Sequence, residues 1–233
     1  MQPEVTPTPP DGIEGAPRAA VVLPVVGRGS VPFAVLHKEP LFVHAARAAA
    51  ESGVALGPVL VVAGDEDVER AGAALATASV AAEVRPAGDW EPGDGPLLVH
   101  DPLCPLTPPE FLRSMADGSD PVPMMAFRPV TDTVKIADAT RIRGTVDRDT
   151  LGALSSPALL TAALLAQARA AGLGRPPLDD VTALLAWMRR CGDVELVRAP
   201  SMARRVDDES AVLVLQCVDE LGRRTRTEIG RRD

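Results

Sequence analysis

Short apolar runs alternate with Ala/Leu-rich stretches, and this alternation constrains the fold more than any other feature of the sequence. The predicted strands are AAVVLPVV (19–26), PVLVVAG (58–64), VAAEVR (80–85), PLLVH (96–100) and PVPMMAF (121–127). Continuous apolar runs of this length are typical of strands that are covered on both faces. The predicted helices span 39–52, 65–78, 107–118, 156–172 and 178–192. Strand–helix alternation with short connections predicts an α/β fold, in which a mostly parallel sheet carries helices on both faces.

The two ends of the chain differ from its centre. Residues 1–18 hold five prolines and almost no apolar periodicity, so we predict a disordered Pro-rich segment. Residues 222–233, GRRTRTEIGRRD, are charged and poor in apolar side chains, which predicts a solvated tail. The intervening residues 19–221 are enough for a single domain with a substantial core.

Charge and cysteine content exclude several classes of protein. The net charge of −8 argues against a nucleic-acid partner, because phosphate contacts need a concentrated basic face. No apolar run approaches the roughly 18 residues that span a bilayer, so we expect no membrane partner. Cys104, Cys191 and Cys217 are far apart and give neither a disulfide framework nor zinc spacing. Together with an acidic N-terminus unlike a signal peptide, this predicts a cytoplasmic protein.

Two loops follow predicted strands, at the edge where α/β sheets bind their ligands. The first strand leads into Gly27, Arg28, Gly29 and Ser30, where two glycines would let backbone N–H groups approach a phosphate. On this loop alone, an ordinary strand-to-helix turn is the better interpretation. Asp101 follows PLLVH and is placed to hold a divalent cation beside a nucleotide. A helix cap or a turn-forming Asp explains that residue equally well.

Residues 128–151, RPVTDTVKIADATRIRGTVDRDTL, alternate β-branched and polar side chains around a turn at Asp138 and Ala139. This pattern predicts a long, polar β-hairpin. A hairpin this polar cannot be a core element, so we expect it to project into solvent or onto a partner subunit.

The segments LVHDPLCPLT, RPVTDTVK and GTVDRDTL occur in this order together with SSPALL and a late VELVRAP…RRVDDESAVLV. Over residues 19–221 the chain resembles the methylerythritol phosphate cytidylyltransferase family. The resemblance implies a Rossmann-like, glycosyltransferase-A-type nucleotidyltransferase sheet with a projecting β-hairpin arm. It also implies transfer of CMP from CTP to a phosphorylated sugar alcohol, with Mg²⁺ as cofactor, in isoprenoid precursor synthesis. A homodimer is implied too, in which the arm of one subunit completes the active site of the other.

The same resemblance assigns roles to individual residues. Asp101 corresponds to the family aspartate near metal and substrate, and Arg205 falls where the family has a lysine that steadies the phosphates. Thr133 and Arg148 resemble the arm residues that bind the acceptor phosphate, and Lys135 lies between them on the arm. The expected catalytic set is therefore Arg148, Arg205 and Asp101.

The loop Gly27, Arg28, Gly29 and Ser30 corresponds to the family loop that binds the nucleotide phosphates, although it is shorter. It lacks the arginine of the family motif.

Other family features are replaced. Phe33 stands at the lysine of the family's phosphate loop, and Cys104 stands at the arginine of its H-D-x-x-R-P motif. The stretch PAGDWEPGDG at 86–95 replaces a family helix that grips the nucleotide. Arg28 and Lys38 are the nearby cations that would have to compensate. The alternative hypothesis is thus a catalytically silent paralogue that serves as a ligand-binding or regulatory dimer.

Overall fold

The computed structural model describes residues 18–117 and 121–229, with side chains up to residue 221. The predicted disorder of residues 1–18 therefore lies almost wholly outside the described residues, as does the end of the predicted tail, 230–233.

The described chain alternates strands and helices from its first residues onward. In chain order the strands are β1 (Ala20–Pro24), β2 (Val35–Leu36), β3 (Glu39–Pro40), β4 (Val59–Ala63), β5 (Ala82–Pro86), β6 (Leu97–Val99), β7 (Met124–Pro129), β8 (Val134–Ala137), β9 (Ile142–Val146), β10 (Gly152–Leu160) and β11 (Glu195–Arg198). The helices are α1 (Leu41–Glu51), α2 (Val68–Thr77), α3 (Pro109–Ala116), α4 (Ala162–Ala170), α5 (Val181–Arg189) and α6 (Glu209–Ile229).

The central sheet has seven strands in the order β11-β7-β10-β6-β1-β4-β5. β1 pairs in parallel with both β4 and β6, and β4 pairs in parallel with β5. β10 runs antiparallel to β6 and β7, whereas β11 pairs in parallel with β7. The predicted α/β fold with a mostly parallel sheet is confirmed. β1, β4, β5, β6 and β7 are the five strands expected from the sequence.

The helix predicted at 156–172 is wrong in its first part. Residues through Leu160 belong to β10, and α4 begins only after Thr161, whose hydroxyl accepts a hydrogen bond from the Leu164 N–H. β10 lies between two other strands, and Ser155 to Leu160 are buried. A strand that is covered on both faces shows no polar–apolar alternation, so periodicity does not distinguish it from a buried helix.

The core lies on both faces of this sheet. One cluster joins the sheet to α1, α2 and α3 through residues such as Phe42, Leu75 and Leu112. A second cluster joins the opposite face to α4 and α5 through residues such as Leu165 and Trp187. The helices thus cover both faces, and the loops at the carboxyl ends of the parallel strands stay free for a site.

The predicted hairpin is present as a separate two-stranded sheet of β8 and β9. Its turn is closed by Asp138, whose side-chain Oδ1 accepts hydrogen bonds from the N–H groups of Thr140 and Arg141. We call residues 130–151 the arm. Most of its side chains are exposed, including Ile136 at 55% and Ile142 at 67%.

α6 crosses residue 221, after which the predicted charged tail begins, and continues to Ile229, so the first part of that tail is helical. Within the described residues, no helix is long and apolar enough to cross a membrane.

Candidate active site

The loops after β1 and β6 meet because these two strands are parallel neighbours. Arg28, in the first loop, donates from Nε to Asp101 Oδ1 in the second, at 2.9 Å. Its Nη1 donates to the backbone carbonyls of Val26 at 3.0 Å and Leu178 at 2.7 Å. Only 5% of the Arg28 side chain is exposed. Arg28 therefore joins the first loop to both Asp101 and the segment before α5.

Asp101 is buried at the tip of β6 and accepts on both of its carboxylate oxygens. Oδ1 also accepts from the Leu103 N–H at 3.0 Å, and Oδ2 accepts from Arg205 Nε at 3.3 Å. Burial alone would raise the pKa of Asp101. The charge and hydrogen bond of Arg28, the hydrogen bond from the Leu103 N–H and the charge of Arg205 together outweigh burial, so the pKa lies below its ordinary value. Asp101 is therefore an ionised carboxylate between two guanidinium groups.

Arg205 is held in place by its neighbours in the chain. The Val206 N–H donates to the Leu103 carbonyl at 2.7 Å, and the Ser155 hydroxyl donates to the Ala203 carbonyl at 2.7 Å. Arg205 Nη1 also pairs with Asp207, and 30% of the Arg205 side chain is exposed. The guanidinium is thus anchored at Nε but still reaches solvent.

His100 and Ser156 support Asp101 from beneath. The Asp101 N–H donates to Ser156 Oγ at 2.7 Å, and Ser156 Oγ lies 2.6 Å from His100 Nδ1. His100 is fully buried, its Nε2 has no hydrogen-bond partner among the described residues, and burial lowers its pKa to about 4. His100 is accordingly a neutral imidazole that packs at this site rather than a charged group.

Gly27 allows close packing of the first loop. It has a φ of +76°, and a Cβ added there would lie 2.4 Å from the Asp179 Cβ. Any larger residue would therefore strain the backbone and clash with the segment before α5. Gly29 also has a positive φ, +56°, but faces open space. Ser30 is exposed and precedes a 3₁₀ turn at Val31–Phe33.

Two cavities open near these loops. The larger, about 790 Å³, is lined by Arg128, Arg204 and Arg205, together with Asp132 and Asp207. The smaller, about 310 Å³, lies beside the first loop at the ends of β1, β4 and β5. It is lined by Val26, Val62, Ala87, Trp90, Arg175, Pro176, Pro177, Leu178 and Asp179. The first cavity offers guanidinium groups to an anion, and the second offers a largely apolar wall.

The arm residues expected at the site lie apart from it within this chain. Thr133, Lys135 and Arg148 are exposed and do not line either cavity. Lys135 Nζ donates to Thr145 Oγ1 across the arm at 2.6 Å, and Arg148 Nη1 donates to the Thr131 carbonyl at 2.6 Å. One chain thus brings together Arg28, Asp101 and Arg205, but not the arm residues.

Comparison with known proteins decides the family. The family model described as 2-C-methyl-D-erythritol 4-phosphate cytidylyltransferase matches residues 24–203. The chain belongs to this family. The enzyme of that name from Bordetella pertussis is 35% identical over 172 residues, which cover 63% of this chain and 73% of the relative. The Bordetella petrii enzyme is 33% identical over 183 residues, covering 68% and 78% respectively.

Solved structures agree on the fold. The 2-C-methyl-D-erythritol 4-phosphate cytidylyltransferase of Thermus thermophilus superposes with a TM-score of 0.66 at 19% identity, covering 86% of this chain and 98% of that chain. The structure of 4-diphosphocytidyl-2C-methyl-D-erythritol synthase from Anaerococcus prevotii gives a TM-score of 0.64 at 13% identity, with coverage of 87% and 96%. The Rossmann-like nucleotidyltransferase fold expected from the resemblance is confirmed.

Two positions that differ from the family motifs are now explained by packing. Phe33 is buried, lies edge-on to Phe42 with ring centroids 5.2 Å apart, and carries the Arg70 guanidinium over its ring at 3.9 Å. Cys104 is fully buried, and burial raises the pKa of its thiol to about 12. Both positions hold uncharged core side chains where the family motifs place cations.

The family helix expected to be missing is indeed absent. Between β5 and β6 the chain forms only a 3₁₀ turn, Ala87–Asp89, followed by a loop that Arg175 holds through the Trp90 carbonyl at 2.6 Å. Lys38 does not replace the lost lysine at the cavities near Asp101. It lies exposed in the turn between β2 and β3 and lines neither cavity.

Arg128 and Arg204 are two cations of the larger cavity that were not among the predicted site residues. Arg128 begins the RPVTDTVK motif, and Arg204 precedes the expected Arg205, so both adjoin segments that the family resemblance singled out. Adjacency to those segments was the signal that could have found them. Arginine is so common in this chain, with only Lys38 and Lys135 as lysines, that a single arginine carries little information.

The magnesium ion that the family implies does not fit at Asp101. Both carboxylate oxygens already accept hydrogen bonds from arginine side chains, and two positive charges flank the carboxylate. Among the described residues, no group of three or more His, Cys, Asp and Glu side chains could hold a metal ion. Asp101, the expected metal ligand, thus accepts hydrogen bonds from two arginine side chains instead.

Proposed function

We propose that this protein is a cytidylyltransferase that transfers CMP from CTP to 2-C-methyl-D-erythritol 4-phosphate and releases pyrophosphate, in isoprenoid precursor synthesis. The observation that carries the proposal is the cavity of about 790 Å³ at the strand tips, lined by Arg128, Arg204 and Arg205. Concentrated guanidinium charge in a recess is the arrangement that binds phosphate groups.

The nucleotide would occupy both cavities near the first loop. The cavity of about 310 Å³ between Val26 and Trp90 has the apolar wall that suits a base. The loop Gly27–Ser30 would supply backbone N–H groups to the passing phosphates, and a Cβ added at Gly29 would face open space. The triphosphate would then extend towards the arginines of the larger cavity.

The chemistry needs positive charge and alignment more than it needs a protein nucleophile. An oxygen of the acceptor phosphate attacks the α-phosphorus of CTP, the bond between the α-phosphorus and the bridging oxygen breaks, and pyrophosphate leaves. Arg205 is anchored by Asp101 at Nε and pairs with Asp207 at Nη1, and 30% of its side chain is exposed at the cavity, so it can stabilise charge on the transferred group.

The acceptor would be held by the arm of a second copy of the chain. Thr133, Lys135 and Arg148 are exposed and do not line the cavities of their own subunit, which favours a role at a neighbouring one. Ile136 and Ile142 expose more than half of their surface on the arm, which favours a partner that covers them. A homodimer of this kind, located in the cytoplasm and without nucleic-acid or membrane partners, is part of the proposal.

The catalytically silent paralogue remains the second candidate, since Phe33 and Cys104 are buried and uncharged. Each lost cation of a phosphate site typically costs about 10²–10³ in rate. Such a protein would keep the cavities and bind the nucleotide without turnover.

Pyrophosphate release distinguishes the two functions. The full chain is incubated with CTP and magnesium, with and without 2-C-methyl-D-erythritol 4-phosphate, and pyrophosphate is measured over time. The proposed enzyme releases one pyrophosphate for each acceptor consumed and none without acceptor. CTP binding without acceptor-dependent release would identify the silent paralogue and reject the proposal.

A further inference from the structure

Both carboxylate oxygens of Asp101 already accept hydrogen bonds, and two arginines supply the positive charge beside them. Oδ1 accepts from Arg28 Nε at 2.9 Å and from the Leu103 N–H at 3.0 Å, and Oδ2 accepts from Arg205 Nε at 3.3 Å. Only 6% of the Asp101 side chain is exposed. A magnesium ion needs a carboxylate lone pair directed at it, and it usually keeps several of its waters.

The space beside Asp101 is also too small for a hydrated ion. The void that Asp101 lines together with Arg28 measures about 10 Å³, which is about the volume that one water probe requires. Asp180 lines the same void, but its Oδ1 accepts from the N–H groups of Thr182 and Ala183 at the start of α5. At this void, Asp101 is thus engaged through both of its oxygens and Asp180 through its Oδ1.

Arg28 is fixed by more than its ion pair. Its Nη1 donates to the carbonyls of Val26 and Leu178, so the loop after β1 and the segment before α5 both hold it. Gly27 and Gly29, on either side, have φ values of +76° and +56° and turn the loop so that the side chain between them faces inward. The Arg28 guanidinium is therefore held in a fixed position at the site.

We propose that Arg28 takes the place of a metal ion at Asp101, as a positioning residue that locks the carboxylate so that it orients Arg205 towards the phosphate cavity. The positive charge beside Asp101 then comes from the guanidinium groups of Arg28 and Arg205, and Asp101 ligates no divalent ion. The inference rests on the proposed function only in taking a phosphate group as the ligand of Arg205.

Titration of the nucleotide-free full chain with Mn²⁺ tests directly whether Asp101 ligates a divalent ion. Electron paramagnetic resonance measures the free Mn²⁺, whose signal decreases as Mn²⁺ binds to the protein. The wild type is expected to bind no Mn²⁺ at sub-millimolar concentration. Arg28→Gln frees Oδ1 and Arg205→Gln frees Oδ2, so each variant should gain one Mn²⁺ per chain. The gain should vanish in the double variant Arg28→Gln/Asp101→Asn, and Arg28→Lys should restore the metal-free state by supplying a cation again.

Circular dichroism verifies that each variant is folded, and Arg189→Gln, on the exposed end of α5, is the matched control that should bind no Mn²⁺. If the wild type binds Mn²⁺ and Asp101→Asn abolishes that binding, the inference is overturned. It is equally overturned if neither folded single variant gains a site. Because no nucleotide is present, these outcomes do not depend on whether CTP is the substrate.

Discussion

Asp101 and His100 are adjacent in sequence, yet they meet different physical constraints. Asp101 stays ionised because Arg28 and Arg205 offset the cost of its burial, whereas at His100 the cost of burial outweighs the favourable charge of Asp101, so the imidazole stays neutral. Ion pairing thus offsets the cost of burying the charged carboxylate, whereas the imidazole avoids that cost by losing its proton.

His100 makes the stability of the protein depend on pH. The pKa of an unfolded histidine is near 6.5, but in the folded protein the pKa of His100 is about 4. Between these values the unfolded chain binds a proton that the folded chain does not, so stability falls as the pH falls from about 6.5 to 4. The loss attributable to His100 is on the order of 3 kcal/mol, at about 1.4 kcal/mol per pKa unit.

Urea unfolding of the wild type and of His100→Asn, measured across this pH range, checks the prediction. The variant should show a smaller decrease in the free energy of unfolding between pH 6.5 and 4, and the two proteins should run parallel above pH 7. Parallel curves throughout the acid range would contradict a buried, neutral His100.

At the level of elements, the arm is the part whose sequence was most informative. Its alternating polar pattern and its turn at Asp138 predicted a projecting hairpin, and β8 and β9 form one. The relation of Thr133 and Arg148 to the active site could not be derived from that pattern, because the site proposed for them lies on a second copy of the chain.

The proposed role of the arm predicts that its residues affect binding of the acceptor more than binding of CTP. Arg148→Ala should raise the KM for the acceptor phosphate more than the KM for CTP, because the arm residues are assigned to the acceptor. Steady-state kinetics with each substrate varied in turn measure both constants. Arg143→Ala, which removes another exposed arginine that pairs with Asp138 on the same arm, is the control and should change neither. Equal increases for both substrates in Arg148→Ala would count against an acceptor site on the arm.

Elements whose sequence is ambiguous were predicted less well. The prediction of helix for residues 156–160, which form the second half of β10, is wrong because buried strands and buried helices are alike in apolar content and Ser156 resembles a helix cap. Ser156 instead bonds the Asp101 N–H, a contact that requires knowing that β10 lies beside β6. α6 was missed because its charged C-terminal half lacks the apolar stripe that identifies a helix.

For the whole molecule, the parallel strands β1 and β6 determine where the site can form. Their carboxyl ends bring Arg28 and Asp101 together from positions 73 residues apart, and β10 supplies the serine beneath them. Strand order and the family resemblance together predicted that Asp101, Arg205 and the loop around Gly27 lie at one edge of the sheet. The ion pair between Arg28 and Asp101 could not be foreseen, because it depends on side-chain direction within a glycine loop.

The cavity at that edge is the central feature of the proposed function, in which it binds the triphosphate of CTP. Calorimetric titration of the full chain with CTP in magnesium buffer is the most direct measurement of this. The account predicts one CTP per chain. It also predicts that Arg205→Met weakens binding by roughly tenfold or more, because a hydrogen bond to a charged group contributes about 1.5–3 kcal/mol. The control Arg189→Met, with an exposed arginine away from the cavity lining, should bind like the wild type. A folded wild-type protein that gives no binding, or an Arg205→Met variant that binds CTP as tightly as the wild type, would contradict the account.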